Sequence, residues 1–476
     1  MLSNPNERFL AQVKRLIWVY FWLLIFEGVL RKWIVPAFSD PLLVIRDPVA
    51  LAIYYFALRA KVFPKNGFIY SLMVIAPLSL GVGLLVLQPY LALKPLFFVT
   101  AYGFRSNFLH LPLIFVIGTV FDKKDVDRMG WWMLIVLIPM SVLMAAQFSA
   151  SPDAFINRTA GVGEGLQITA GGGKIRPPAT FSFVSGVIFY VSASAAFLIY
   201  GALSRGTYRN WLLFGAGLAL VVAIGVSGSR SVFVSVLVVV ASLLIILITR
   251  PSALNQFGRN ILIVAVIGLI VTRLPVFKEG MGILSDRFTT VAEEAESSIA
   301  GNLITRTFVG FTEGFKVINR VPLAGYGLGV GTNAGAKLLT GRSLFLLAEG
   351  EWSRILLESG PFLGVAFILW RLALTVQLGF KSFRSLREGE ILPIIIFSAC
   401  FLSLLNGQFG QPTNLGFAVL LSGLCLASMN VAGRPIEGSA ADSSAEESDS
   451  KKNVVRSRSP FAIRLHGNPK EEVRGP

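Results

Sequence analysis

The chain has 476 residues, 54% of them hydrophobic and only 15% charged, with a mean hydropathy of +0.67. Soluble globular proteins carry about 25% charged residues, so this composition excludes a cytosolic enzyme, a disordered chain and a fibrous repeat, leaving an all-α polytopic membrane protein. The formal charge of +16, from 43 Lys+Arg against 27 Asp+Glu, then reads first as membrane topology and not as nucleic-acid binding.

A membrane span needs roughly 20 apolar residues. In chain order, spans are expected near 16–34, 42–58, 68–87, 96–121, 129–148, 179–202, 211–227, 231–249, 260–276, 355–379, 391–405 and 413–431. With the N-terminus inside, alternation puts Arg59, Lys61 and Lys65 in the cytoplasm, and likewise Lys123, Lys124 and Arg128. It does the same for Arg205, Arg209, Arg250, Arg259, Lys381, Arg384 and Arg387, whereas the short outer loops 88–95 and 406–412 hold only Lys94. That is the positive-inside bias, and it sets both termini in the cytoplasm. Residues 1–15 form a cytoplasmic N-terminus without a cleavable signal peptide, because the first apolar run ends on Arg31-Lys32-Trp33 and lacks a small-residue cleavage site. Residues 16–432 form the membrane domain. The Ser-rich, mixed-charge stretch 433–476 reads as a disordered cytoplasmic tail.

Two outer loops are long. The first, about 149–178, is Gly-rich and carries Arg158, Lys174 and Arg176. The second, about 277–354, contains Ile304, Phe308, Phe311, Phe315 and Ile318 at helical steps, with Arg306, Glu313, Lys316 and Arg320 on the opposite face. That pattern is an amphipathic helix beside a bilayer. Gly325-Tyr326-Gly327-Leu328-Gly329 follows Pro322 and no strand, so it reads as a turn allowing close backbone approach and not as a nucleotide loop.

Cations on the disfavoured side carry the sharpest signal. Arg31, Arg46, Arg158, Arg176, Arg230, Arg306, Arg320, Arg342 and Arg354 all fall on the outer side or within spans. A charge at the bilayer centre costs about 2.5–3.5 kcal/mol on insertion scales. Arg230 reads either as a snorkelling residue in a tight turn or as a guanidinium facing an anionic ligand. Glu27, Arg31, Arg46 and Asp47 read as two structural salt bridges between the first two spans, slightly ahead of a catalytic role. Cys400 and Cys425 lie in apolar runs and His466 in the polar tail, which leaves no evident thiolate or His-based metal site.

From Arg176 to Gly364 the order of motifs resembles the O-antigen ligase and O-antigen polymerase superfamily. Arg176-Pro177-Pro178-Ala179-Thr180-Phe181 looks like the segment entering a middle span, and Ser227-Gly228-Ser229-Arg230 is similar to a Ser-x-Ser-Arg turn. Thr305-Arg306, then Pro322 and Gly325 to Gly329, resemble an Arg…Pro-x-x-Gly-x-Gly-x-Gly pattern. Ala348-Glu349-Gly350-Glu351-Trp352 followed by Glu358-Ser359-Gly360 and Gly364 is similar to Ala-His-Asn-x-aromatic then Glu-x-Gly-x-x-Gly. The segment Glu27 to Trp33 lies outside that core and marks a divergent branch.

The resemblance implies a membrane glycosyltransferase that takes a glycan from an undecaprenyl-pyrophosphate carrier and passes it to an acceptor glycan or lipid on the periplasmic face. It implies no cofactor, metal or nucleotide, because pyrophosphate is the leaving group. Arg230 and Arg306 would hold the pyrophosphate, with Arg176 as a third cation. Glu349 stands where the family has its histidine, so Glu349, or failing that Glu351, would be the general base; Glu349 could instead pair with Arg354 or Arg342. The competing readings are a polysaccharide or anion transporter, and a non-catalytic component of an exopolysaccharide machine.

Overall fold

The computed structural model describes residues 5–161, 166–204, 206–249, 282, 313–314, 316–342 and 345–430. Among these, the chain is almost entirely helical. α1 (Pro5–Val29), α2 (Ser39–Leu42), α3 (Arg46–Arg59), α4 (Gly67–Leu87), α5 (Leu93–Phe104), α6 (Pro112–Val120) and α7 (Lys123–Ser149) come first. A two-stranded antiparallel hairpin follows, β1 (Thr169–Gly171) with β2 (Lys174–Ile175). Then come α8 (Val184–Leu203), α9 (Asn210–Val226), α10 (Arg230–Thr249), α11 (Asn333–Thr340), α12 (Glu351–Glu388), α13 (Leu392–Asn406) and α14 (Pro412–Ala427).

Among the described residues, eight helical stretches are long and apolar enough to cross a membrane, and α9, α13 and α14 are shorter apolar helices. Each apolar run expected from the sequence falls on one of these, except 260–276, which lies outside the described residues, as do Arg306 and the tail 433–476. The stretch expected ahead of the first span is itself helical from Pro5. The loop 149–178 is partly ordered into the β1–β2 hairpin, turned at Gly172 and Gly173, both at positive φ.

Local signals start these helices where polar groups can satisfy free amides. Asn66 caps α4 by accepting from the Ile69 N–H at 3.0 Å, and Asp122 and Asp125 form a reciprocal capping box at the start of α7. Packing then follows side-chain shape: α14 lies against α6 and α13, α7 against α9, and α1 against α3.

Two interruptions matter more than the helices they interrupt. α1 and α5 each end in a π-turn, Leu30–Ile34 and Arg105–Leu109. A π-turn carries an extra residue per turn and re-aims the side chains within it. Here Arg31, Lys32, Arg105, Ser106 and Asn107 are thereby buried.

The second interruption corrects the expected single span at 355–379. α12 breaks at Gly360 (φ 76°, ψ 173°), followed by Pro361. Arg371 lies 2.8 Å from Glu351, although twenty residues of straight helix would separate them by about 30 Å. The limb 351–359 therefore folds back against 361–388. A Cβ placed on Gly364 would lie 3.2 Å from the Ile355 carbonyl oxygen, as the reversal requires.

That reversal strands two carbonyls. The Leu357 C=O would ordinarily accept from residue 361, but proline has no N–H. The glycine-rich loop supplies the donors: Tyr326 N–H gives 2.7 Å to the Leu357 oxygen and Gly327 N–H gives 3.1 Å to the Glu358 oxygen. Gly325, Gly327 and Gly329 all sit at positive φ. A Cβ on Gly329 would meet the Val99 carbonyl oxygen at 2.1 Å, so the loop is wedged between α5 and the α12 hairpin at backbone contact.

Candidate functional site

The hairpin β1–β2 delivers Arg176. Its backbone N–H donates to the Ile168 carbonyl at 2.8 Å and its Nε to the Thr169 carbonyl at 3.2 Å. Its Cγ lies 3.8 Å from where a Gly228 Cβ would be, so Arg176 packs beside the Ser227-Gly228-Ser229-Arg230 turn. Ser227 and Ser229 are buried, while Arg230, the first residue of α10, is half-buried. The fold thus places Arg176 against the turn that carries Arg230, 54 positions away in sequence. Arg306, the third, lies outside the described residues.

Glu349 is exposed and has no ion pair among the described residues; Arg354, its expected partner, is committed elsewhere. Arg342 is exposed, with its own N–H on the Thr340 hydroxyl. The Glu349 carbonyl accepts from the Gln408 side-chain amide at 2.9 Å. Gln411 donates to the Gln408 side chain at 2.5 Å, and Ser185 donates to Gln411 at 3.2 Å. This polar string ties the Glu349 loop to the start of α8, nine residues beyond Arg176.

Glu351 has a different environment. Its carboxylate accepts from Arg354 at 2.9 and 3.0 Å, from Arg371 at 2.8 Å, and from the Phe409 N–H at 3.2 Å. It is 2% exposed. A carboxylate with its lone pairs so filled is an anchor, and no oxygen is left to take a proton from an acceptor hydroxyl.

From Glu351 the network spreads. Arg354 also donates to Glu358 at 2.7 Å and to the Asn107 oxygen at 2.8 Å. Glu358 accepts from the Gly331 N–H at 2.9 Å. Arg371 donates to the carbonyls of Leu404 and Gly407 and lies 3.7 Å from the Phe409 ring centroid. Two carboxylates and two guanidiniums balance, which lets the set be buried without a bare charge.

A second network fills the region between α1, α3 and the 105–109 turn. Glu27 pairs with Arg31 at 3.4 Å and with Arg46 at 3.2 Å. Of the two salt bridges expected between the first two spans, one forms, Glu27–Arg46, because Arg31 stays on Glu27. Asp47 turns away to Arg105 at 2.7 Å and to His110 at 2.9 Å. The other His110 nitrogen lies 3.2 Å from the Tyr20 hydroxyl, to which Arg46 donates at 3.4 Å. A neutral ring suits this: Nε2–H donates to Asp47 and Nδ1 accepts from Tyr20.

Lys32 is the odd member. It is fully buried, and its Nζ donates at 2.5 Å to the Ala179 carbonyl, with the Trp33 ring 4.3 Å away. No carboxylate pairs with it among the described residues. Ala179 itself is at φ 53°, and its N–H donates to the Gln147 side chain at 2.8 Å. The segment lies directly on α1: a Cβ on Gly28 would fall 2.4 Å from the Thr180 oxygen.

The turn at 407–412 joins both networks. Arg371 and Glu351 hold its first half, and Arg46 donates to the Pro412 carbonyl at 2.5 Å. Sequence reasoning passed over this turn as a short outer loop and gave no role to Asn107, Arg105 or Arg371. Their signal was present, since Arg105 and Arg371 interrupt otherwise apolar runs.

Compared with known proteins, the chain matches no family model and no curated protein.

Proposed function

We propose that this chain is a polysaccharide polymerase or ligase, a divergent relative of the O-antigen ligase and polymerase superfamily. In this reading it crosses a bacterial inner membrane about twelve times with both termini in the cytoplasm. It transfers a glycan from an undecaprenyl-pyrophosphate carrier to an acceptor glycan or lipid on the periplasmic face. The observation that carries the reading is the placement of Arg176 against the Ser227–Arg230 turn, because a departing pyrophosphate needs preorganised cations.

In the proposed reaction Arg176 and Arg230 neutralise the charge that develops as the glycosidic bond to pyrophosphate breaks, with Arg306 assigned the same role from sequence alone. Glu349, exposed and tethered through its backbone to Gln408, takes the proton of the acceptor hydroxyl. Glu351 acts through Arg354 and Arg371 as a positioning residue. A transporter would have to open between conformations, and the interlocked networks around the 407–412 turn oppose that.

The test is reconstitution. Purified protein is supplied with an undecaprenyl-pyrophosphate oligosaccharide from the same organism, without added metal, and glycan length and released carrier are read. Longer glycans that vanish in Arg230→Ala and Arg176→Ala support the proposal. A folded wild type that yields no product from verified donor and acceptor overturns it.

A further inference from the structure

A cavity of about 480 Å³ opens at the Lys123 end of α7. It is lined by Asp127, Arg128, Trp131 and Trp132 from the first turns of α7, and by Thr207 and Tyr208 from the 204–209 connection. Neither network described above reaches it. The Tyr208 hydroxyl donates to the Asp127 backbone carbonyl at 3.0 Å, which fixes the connection against the helix.

The lining is chemically mixed in a specific way. Arg128 is exposed and free to reach a phosphate, whereas the Asp127 carboxyl is half-buried with Tyr200 and Lys123 beside it, its Oδ1 enclosed and without a hydrogen-bond partner among the described residues. Trp131 and Trp132 are half-buried, with ring centroids 4.9 Å apart, and offer aromatic faces that attract a cation. Tryptophan at the end of an apolar helix is the usual residue of a headgroup boundary. Directly beyond the connection, α9 exposes Trp211, Phe214 and Leu218 at helical spacing, an apolar stripe leading away from the cavity.

We propose that this cavity seats the headgroup of an aminophospholipid of the phosphatidylethanolamine class. The phosphate lies on Arg128, the ammonium lies between Asp127 and the tryptophan pair, and the acyl chains run along Trp211, Phe214 and Leu218. A purely anionic headgroup would satisfy Arg128 but bring no cation to the Asp127 carboxylate or to the tryptophan faces. A sugar would leave the apolar stripe without a partner. The inference rests on the membrane reading of the helices and not on the glycosyltransferase proposal.

The experiment uses full-length protein in mixed micelles holding equal amounts of phosphatidylethanolamine, phosphatidylglycerol and phosphatidylcholine, with bound lipids identified by native mass spectrometry. Wild type should retain phosphatidylethanolamine about tenfold over each competitor, the lower end of what one charge-assisted hydrogen bond supplies. Asp127→Asn should erase that preference while still holding phospholipid, and Arg128→Gln should lower retention of all three. The wild-type comparison stands even if a variant fails to fold, because choline keeps the positive charge but cannot donate a hydrogen bond. Equal retention by wild type, a phosphatidylglycerol excess, or an unchanged preference in folded Asp127→Asn would each overturn the proposal.

Discussion

Arg371 and Glu351 meet at 2.8 Å although they belong to one helical element and lie twenty residues apart. Both are essentially inaccessible to solvent, at 0% and 2% exposure. Breaking one side of such a pair leaves a bare buried charge, at a cost of about 3–5 kcal/mol. Arg371→Met should therefore lower thermal stability in detergent sharply. Arg371→Met combined with Glu351→Gln should recover part of the loss, and a double variant no better than the single would remove the coupling from the account.

Gly360 makes the reversal that allows this contact. A Cβ there would sit 2.2 Å from the Leu323 carbonyl oxygen, on a backbone at φ 76°. Gly360→Ala should cost well over the roughly 1 kcal/mol attached to an alanine at positive φ alone. Gly341, in the ordinary left-handed helical region (φ 75°, ψ −4°) with nothing within 4 Å, gives the cost of a positive φ without a backbone contact. Gly341→Ala should shift the melting temperature only slightly, and similar shifts for the two would show that neither the contact nor the extended ψ of 173° at Gly360 is decisive.

Lys32 and Arg354 should respond in opposite ways to removal of charge. Lys32→Met strands only the Ala179 carbonyl, which still has Gln147 at 3.5 Å, and relieves a buried cation without a carboxylate partner. Little change or a gain in stability is expected. Arg354→Met strands Glu358, Glu351 and Asn107 together and should abolish well-folded protein. Monodispersity and melting temperature of the two variants decide the matter.

Much of this was legible in the sequence, and the failures have identifiable causes. Helices such as α4 and α8 follow directly from uninterrupted apolar runs. The break in α12 was spelled out by Glu358-Ser359-Gly360-Pro361, since glycine reaches positive φ and proline withholds an amide. The apolar residues on both sides masked it. The placement of Arg176 beside Gly228 depends on how a two-stranded hairpin docks, which no local pattern specifies. The Arg354–Asn107 contact spans 247 positions and relies on a π-turn that has no sequence signature of its own.

On the proposed reaction, Arg176→Ala and Arg230→Ala should each slow turnover by about 10²–10³, the usual effect of losing one charge-stabilising donor. Their melting temperatures should stay near wild type, because both side chains lie at half-buried positions outside the two buried networks. Turnover that falls only in step with stability would assign the two arginines to folding.

Glu349→Gln separates the two carboxylates. If Glu349 is the base, turnover should drop by about 10²–10⁴ without loss of fold, since only its backbone carbonyl is engaged by Gln408. Full activity in this variant would remove the side chain from the mechanism.

The clasp of Arg46 on the Pro412 carbonyl spans 366 positions. A ribosome adding 5–20 residues per second needs roughly 20–70 s to cover that distance. For that interval α1 and α3 are already synthesised while the oxygen that receives Arg46 does not yet exist. Biogenesis therefore has a waiting step: Arg46 must be held by Glu27, water or the insertion machinery until the last helix arrives. Nascent chains that stop short of residue 412 carry that cation unfinished, which gives quality control a chemical feature by which to recognise them.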